Sequence, residues 1–174
     1  MRKFLMIAAS FAALAACSQP ADRPDAPPPQ QQAACNTVTP DSALQVTLTD
    51  EVASTASASD LRGGAITPGV YDLVSGQKLG DAQGWQGARA VSLDARETEA
   101  GAVTFNWASV SAGSQAERWT ATFNDTPAPA IEYTCGRSGR ADDVGFATTA
   151  DTLSLRLPDA SGAGALLLEF RRRP

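Results

Sequence analysis

The sequence predicts an all-β domain: an antiparallel up-and-down β-barrel of the lipocalin-like kind, of about eight or nine strands, with a β-sandwich as the alternative. Three observations carry this. Apolar and polar residues alternate with period two over many short runs. Gly, Pro, Asn and Asp break these runs at intervals of roughly 10–15 residues. No stretch of the globular part sustains the 3.6-residue apolar period of a long helix.

Taken in order, residues 43–49 place Leu44, Val46 and Leu48 on one side and Gln45, Thr47 and Thr49 on the other, as a half-buried strand does. Residues 50–62 are rich in Ser, Ala and Asp and read as a loop. A short helix over residues 53–61 is weakened by Ser and Thr. The pairs Gly63-Gly64 and Pro68-Gly69 are turn signals before a strand over residues 70–75, with Tyr71 and Leu73 on one face. Residues 75–87 hold four glycines and read as a loop. Residues 89–96 alternate through Val91 and Leu93, and Ala100-Gly101 turns the chain into Val103-Thr104-Phe105-Asn106-Trp107. Trp119-Thr120-Ala121-Thr122-Phe123 follows a polar loop, and residues 131–135 alternate through Tyr133. Residues 136–143 read as a polar loop and residues 144–148 as a short strand. Leu153, Leu155 and Leu157 form the next apolar face, and Leu166, Leu168 and Phe170 the last. One face of each strand is apolar and the other polar, as in a sheet wet on one side. Short connections favour near-sequential pairing.

Ahead of this domain, Arg2 and Lys3 precede an apolar run over residues 4–14 and the sequence Leu14-Ala15-Ala16-Cys17. Charge, length and small residues before the cleavage point are those of an export signal, and the run is too short to cross a ~30 Å hydrocarbon core. The four residues read as a lipobox, so residues 1–16 are a leader and Cys17 is the lipidation site. Acyl chains on Cys17, at ~0.8 kcal/mol per buried methylene, suffice for stable attachment to a membrane. Ser18 after the cysteine, by resemblance to lipoproteins of two-membrane bacteria, implies the outer membrane. Residues 17–34 are dominated by Pro, Gln and Ala and cannot bury enough surface to offset their ordering entropy. The three prolines 27–29 favour an extended tether. The β-domain is then residues 35–174.

An export signal sends Cys35 and Cys135 to an oxidising compartment, where two remaining cysteines pair by default. A Cys-x-x-Cys redox motif is lacking. The chain carries net charge −5, and losing Arg2 and Lys3 with the leader takes −5 to −7. Such an acidic surface argues against nucleic acid as a partner. Arg171-Arg172-Arg173 reads as a solvated strand end. There is no histidine, so no histidine-based triad, and Lys78 is the one lysine after residue 3. The acidic pairs Asp50-Glu51 and Asp142-Asp143 read as solvated charge rather than a Ca²⁺ site. Glycine-rich stretches lack the strand-to-helix setting of a phosphate loop. No catalytic residue, metal or cofactor is expected, and the protein reads as a non-enzyme.

The residues Gly63-Gly64-Ala65-Ile66, Gly69-x-Tyr71-x-Leu73, Tyr133-Thr134-Cys135, Thr149-x-x-Thr152-Leu153-x-Leu155 and Leu168-Glu169-Phe170 resemble a loose group of uncharacterised bacterial lipoproteins with lipocalin-like barrels. The resemblance covers about half the domain and implies a fold and an address rather than an activity.

Phe105 and Trp107, Trp119 and Phe123, and Ile131 and Tyr133 lie two or four residues apart, so each set shares one face of its strand. These faces are expected to point inward. Phe105, Trp107, Trp119, Phe123 and Tyr133 are read first as core, because small barrel interiors are filled by side chains, and second as the walls of an apolar cavity. Two functions follow: a membrane-anchored module that holds a small apolar ligand or lipid, or an interaction or inhibitor module that engages another envelope protein.

Overall fold

The computed structural model of the protein describes residues 34–50 and 61–174. The leader, Cys17, nearly all of the Pro-rich segment and the short helix read over residues 53–61 lie outside the described residues, Leu61 apart, which is not helical.

The strands are β1 (Gln45–Thr47), β2 (Thr49–Asp50), β3 (Gly69–Leu79), β4 (Ala88–Glu97), β5 (Val103–Ser111), β6 (Glu117–Asn124), β7 (Ala130–Cys135), β8 (Arg140–Ala141), β9 (Gly145–Thr148), β10 (Thr152–Pro158) and β11 (Ala165–Arg172). They form one sheet whose main path runs β8-β7-β6-β5-β4-β3-β11-β10-β9. All neighbours on this path are antiparallel, and only β3 and β11 are not consecutive in the chain. The near-sequential pairing expected of short connections is therefore present. β8 and β9 follow one another but do not pair, so the meander stays open at that seam as a half-barrel.

The curl is measured by ring contacts. Trp107 on β5 and Phe170 on β11 are three strands apart, about 14 Å in a flat sheet, yet their rings meet edge-on at 5.9 Å. Phe123 on β6 and Phe146 on β9 are six strands apart, about 29 Å if flat, and meet at 4.9 Å. The apolar faces thus close on one another. Tyr71, Leu73, Val91, Leu93, Phe105, Trp107, Trp119, Phe123, Ile131, Leu153, Leu155, Leu168 and Phe170 form one buried cluster. Burying each of the larger of these side chains stabilises the fold by roughly 1.5–3 kcal/mol.

The edge strands are short: two residues in β8 and four in β9. The free edge of β9 is further covered by Gly63, whose N–H donates to the Phe146 carbonyl and whose carbonyl accepts from the Thr148 N–H. Such edges offer little template for pairing with another chain.

Between β3 and β4 the sheet splays. They pair only over Gly69–Asp72 and Ser92–Ala95. β1 fills the wedge on the β4 side, and β2 lies parallel to β3 at Gln77 and Lys78. Leu48, between them, is buried, and a Cβ at Gly76 would stand 2.6 Å from its Cδ2. This explains a departure from the sequence reading. Residues 75–79 continue β3 rather than begin a loop, because Gly76 makes room for Leu48. A bulge at the Glu169/Phe170 step also shifts the register, aligning Leu73 with Phe170 but Gly76 with Leu168. That shift breaks the period-two phase on which a strand is recognised. Leu44, read as inward, is 41% exposed, because it precedes the wedge.

The convex face is not simply wet. Residues 35–39 lie across it as a strap. Asn36 Nδ2 donates to the Trp107 and Trp119 carbonyls, the Thr120 hydroxyl donates to the Cys35 carbonyl, and the Arg118 guanidinium donates to the Val38 carbonyl. Asp72 and Ser92 are buried there, and Arg173 answers them. Its Nε and Nη2 each donate at 2.6 Å to one carboxylate oxygen of Asp72, and Nη2 also reaches the Ser92 hydroxyl and the Thr39 carbonyl. Of the three arginines read as a solvated strand end, Arg171 is exposed, but Arg173 is fastened to the strap and Arg172 pairs with Asp151. A two-toothed guanidinium–carboxylate bond of this kind is among the stronger polar contacts.

Cys35 and Cys135 are bonded, with Cα atoms 5.6 Å apart. Tyr133 and Cys135, two residues apart, would share a face in a regular strand. A register shift sets Tyr133 opposite Ala121 on the concave side but Cys135 opposite Thr120, whose hydroxyl bonds the strap on the convex side. The bulge re-aims one side chain, so the same strand contributes to the interior and to the staple. The disulfide closes a loop of 100 residues, worth about 4–5 kcal/mol in chain-entropy terms. Urea unfolding with and without reductant should differ by that amount. Coincident curves would show that the strap holds without the covalent bond.

Candidate functional site

The concave row of aromatics fills the middle of the half-barrel. Trp107 and Trp119, directly opposite across β5 and β6, stack at 5.1 Å with planes 11° apart. Phe105 and Phe123 stack at 5.1 Å. Tyr133 meets Trp119 edge-on at 5.3 Å. Phe105, Trp107, Trp119 and Phe123 are all buried, and Tyr133 is half-buried. The five rings singled out in the sequence therefore come together in one interior, as core.

Open space remains at the ends. At one end a cavity of about 440 Å³ lies among the 64–66 turn, residues 100–103, Phe123, the Asn124–Thr126 turn and Phe146. Its charged groups are Glu97 and Asp125, and no arginine or lysine reaches it.

The other end has a different chemistry. A cavity of about 370 Å³ is walled by Trp85, Trp107, Trp119 and Tyr133, with Leu157, Leu166 and Leu168, and rimmed by Arg89, Glu117, Arg137 and Asp159. The volume lies at the small end of the range typical of ligand sites. Three of the sequence-predicted rings, Trp107, Trp119 and Tyr133, line it. Phe105 and Phe123 do not.

Strand phase brings the rim charges here. Arg89 is two residues from Val91, Ser109 two from Trp107, and Glu117 two from Trp119, so each continues an inward row toward the strand end. Arg89 Nη1 donates to Glu117 Oε2 at 3.0 Å, and Arg137 Nη2 donates to Glu117 Oε1 at 2.5 Å. Arg89 also lies 5.7 Å over Trp85, while Arg137 lies 5.8 Å from the Trp119 ring and 5.9 Å from Tyr133. These are cation–π distances. Arg137 reaches this position because the chain turns sharply at Gly136. The turn has φ +77°, and a Cβ there would collide with the Arg118 carbonyl, so glycine is required.

Burial pushes the Glu117 carboxyl up, but the hydrogen bonds and charges of Arg137 and Arg89 outweigh it and hold it below the ordinary carboxylate range. Burial likewise disfavours the charged Arg137, and its bond to Glu117 more than restores it. Burial would raise Asp159 too. The Ser161 hydroxyl and the N–H groups of Gln83, Ser161 and Gly84 overcome that and keep it ionised. Glu117, Arg137 and Asp159 are therefore charged at neutral pH.

Three buried N–H groups of these side chains find no acceptor among the described residues. The Nε1–H groups of Trp107 and Trp119, in side chains only 5% and 1% exposed, have no acceptor, nor does the buried Nε–H of Arg89. A buried donor without a partner costs about 1–3 kcal/mol. Trp85 differs: its Nε1 donates to the Val46 carbonyl at 3.4 Å.

Sequence reasoning missed Trp85, Arg89, Glu117 and Arg137. Trp85 was legible as a large ring in an otherwise small and polar loop. Arg89 and Glu117 were legible as charges in phase with an apolar face. Arg137 was not, because its place depends on the turn at Gly136. The described acids of the two pairs face basic side chains: Asp142 bonds Arg140, Asp143 lies 2.7 Å from Arg156, and Asp50 lies 2.6 Å from Lys78, while Glu51 lies outside the described residues. Cys17 falls outside the described residues.

The fold and mouth define a half-barrel β-domain with an aromatic, charge-rimmed cavity at one end. Neither family models nor curated proteins nor solved structures provide a match to the chain.

A carboxyl whose pKa is lowered on folding stabilises the protein above its unfolded pKa, and that stability is lost as the pH falls through the folded value. The gap in unfolding midpoint between the protein and Glu117→Gln should thus be constant near neutrality and shrink as the pH drops below the ordinary carboxylate range. A gap that persists unchanged in acid would show that the Arg89–Glu117–Arg137 chain does not act through charge.

Proposed function

We propose that the protein is a lipid-anchored binding module of the bacterial cell envelope, tethered to the outer membrane through Cys17 and holding a small, compact ligand in the aromatic mouth of its half-barrel. The observation that carries the binding half of this reading is the cavity walled by Trp85, Trp107, Trp119 and Tyr133 and rimmed by Arg89, Glu117, Arg137 and Asp159. Apolar walls with a few convergent polar groups are the usual composition of a small-molecule site.

The ligand is compact because the interior beneath the mouth is occupied. The Trp107–Trp119 stack and the edge contact of Trp107 with Phe170 fill the space a long acyl chain would need. This narrows the sequence expectation of a small apolar ligand or lipid to the first of the two. The reading as an envelope interaction or inhibitor module draws less support. Leu44 is the one large apolar side chain exposed among the described residues, well short of the contiguous patch that marks a protein-docking surface. The address rests on residues 1–18: the lipobox, the leader and Ser18.

Two experiments test the two halves. Cys17→Ser should move the protein from the membrane pellet to the soluble fraction, and a variant that still sediments as fully as wild type would refute the anchor. With the full chain in lipid nanodiscs, the neutral aromatic probe N-phenyl-1-naphthylamine should show saturable binding above an empty-nanodisc blank. A fluorescent long-chain acyl probe should not. Saturation by the acyl probe alone would contradict the compact-ligand reading, and saturation by neither would leave the interaction module as the better account.

A further inference from the structure

Resting on the mouth as a binding site, we infer that its ligand is a planar aromatic anion, an aryl carboxylate or a group of like charge and shape, gripped by Arg137 with Arg89 behind it.

The charge of the ligand follows from how the rim's hydrogen bonds are spent. Both oxygens of Glu117 are taken, one by Arg89 and one by Arg137. Asp159 accepts from three backbone N–H groups and the Ser161 hydroxyl, so its oxygens are committed to the loops. Each rim carboxylate is thus already matched, Glu117 by two guanidinium groups and Asp159 by its loops. The donors are in the opposite state. Arg137 has five guanidinium N–H groups, and its side-chain partners among the described residues are Glu117 and Tyr133. Arg89 bonds through Nη1 alone among the described residues. A half-exposed guanidinium with unused N–H groups, beside carboxylates that are already matched, favours a ligand that accepts. A guanidinium beside a cavity presents the fork that a planar carboxylate fits.

The shape follows from the walls. Trp85, Trp107, Trp119 and Tyr133 present aromatic surface, and Arg137 already lies at stacking range of two of these rings. Such surfaces favour flat π-systems over branched aliphatics. The filled interior limits depth, so the body is one or two fused rings rather than a chain. The domain as a whole is acidic, so the arginines supply attraction locally rather than through net charge.

The test uses three isosteric probes on the full chain in nanodiscs: 1-naphthoate, 1-naphthalenemethanol and 1-naphthylmethylamine, followed by quenching of tryptophan fluorescence against an empty-nanodisc blank. Naphthoate should bind at least tenfold more tightly than the alcohol, and the amine most weakly. Added salt should weaken naphthoate and leave the alcohol unchanged, because only the anion is held by screened charge. Arg137→Gln should bring naphthoate to within about threefold of the alcohol measured on the same variant, whose folding is checked by its near-UV circular dichroism. The salt titration on unaltered protein carries the same test should Arg137→Gln prove unstable. Alcohol or amine binding as tightly as naphthoate, with no salt dependence, would overturn the anionic assignment and leave the compact-ligand reading standing. No saturable binding of any probe would overturn both.

Discussion

The structure depends on the contact of aromatic rings across the concave face of one sheet. Trp107 opposite Trp119, and the neighbouring Phe105 and Phe123, form a double row that no flat sheet could cover. Curling is what buries it, since bending brings β11 to Trp107 and β9 to Phe123. Aromatic pairs contribute roughly 0.5–1.5 kcal/mol each beyond the area they bury, and here they also set the radius of the curl. The cavity at the mouth is what remains where the row ends and the inward positions pass from rings to Arg89, Ser109 and Glu117.

The convex face supplies the second constraint. A sheet curled around its apolar side needs its polar side held as well, and the strap of residues 35–39 does this by occupying carbonyls of β5 and β6. One covalent and one ionic contact fix the strap: the disulfide to β7, and Arg173 from the end of the chain, which bonds the Thr39 carbonyl while gripping Asp72. The disulfide meets a strand that also builds the mouth. Cys135 stands two residues from Arg137 and two from Tyr133, so the staple on the outer face positions the turn that carries the rim arginine on the inner one. Site and scaffold are therefore mechanically joined at β7.

The strand content, the inward faces and the pairing of Cys35 with Cys135 were legible in the sequence because period two is a local property and the expected fate of Cys17 leaves two cysteines to pair. What was hidden lay at departures from that period. The bulge opposite Thr120 sends Cys135 outward while Tyr133 stays inward, and the shift near Glu169 erases the strand signal over residues 75–79. Alternation alone would place Tyr133 and Cys135 on the same side. The wedge filled by Leu48 against Gly76 is a contact between segments far apart in the chain, so a glycine needed for packing looked like a glycine marking a turn. Arg173 looked like surface charge because its partners, Asp72 and Ser92, are a hundred and more than eighty residues earlier. Half of the site was readable as aromatic core. Its charged half was not, because charge at the end of an inward row has the same appearance as charge at the edge of a solvated strand.

The central claim is that the aromatic mouth, and not the opposite end of the half-barrel, is where a small molecule is held. The most direct measurement is the ¹⁵N–¹H spectrum of the indole groups, in which Trp85, Trp107 and Trp119 each give one signal. On addition of 1-naphthoate the account predicts that all three move together and saturate, with the backbone signals of Gly136 and Arg137 following and those of residues 100–103 unmoved. Shifts confined to residues 100–103 and the 124–126 turn, with the three indoles unchanged, would contradict it.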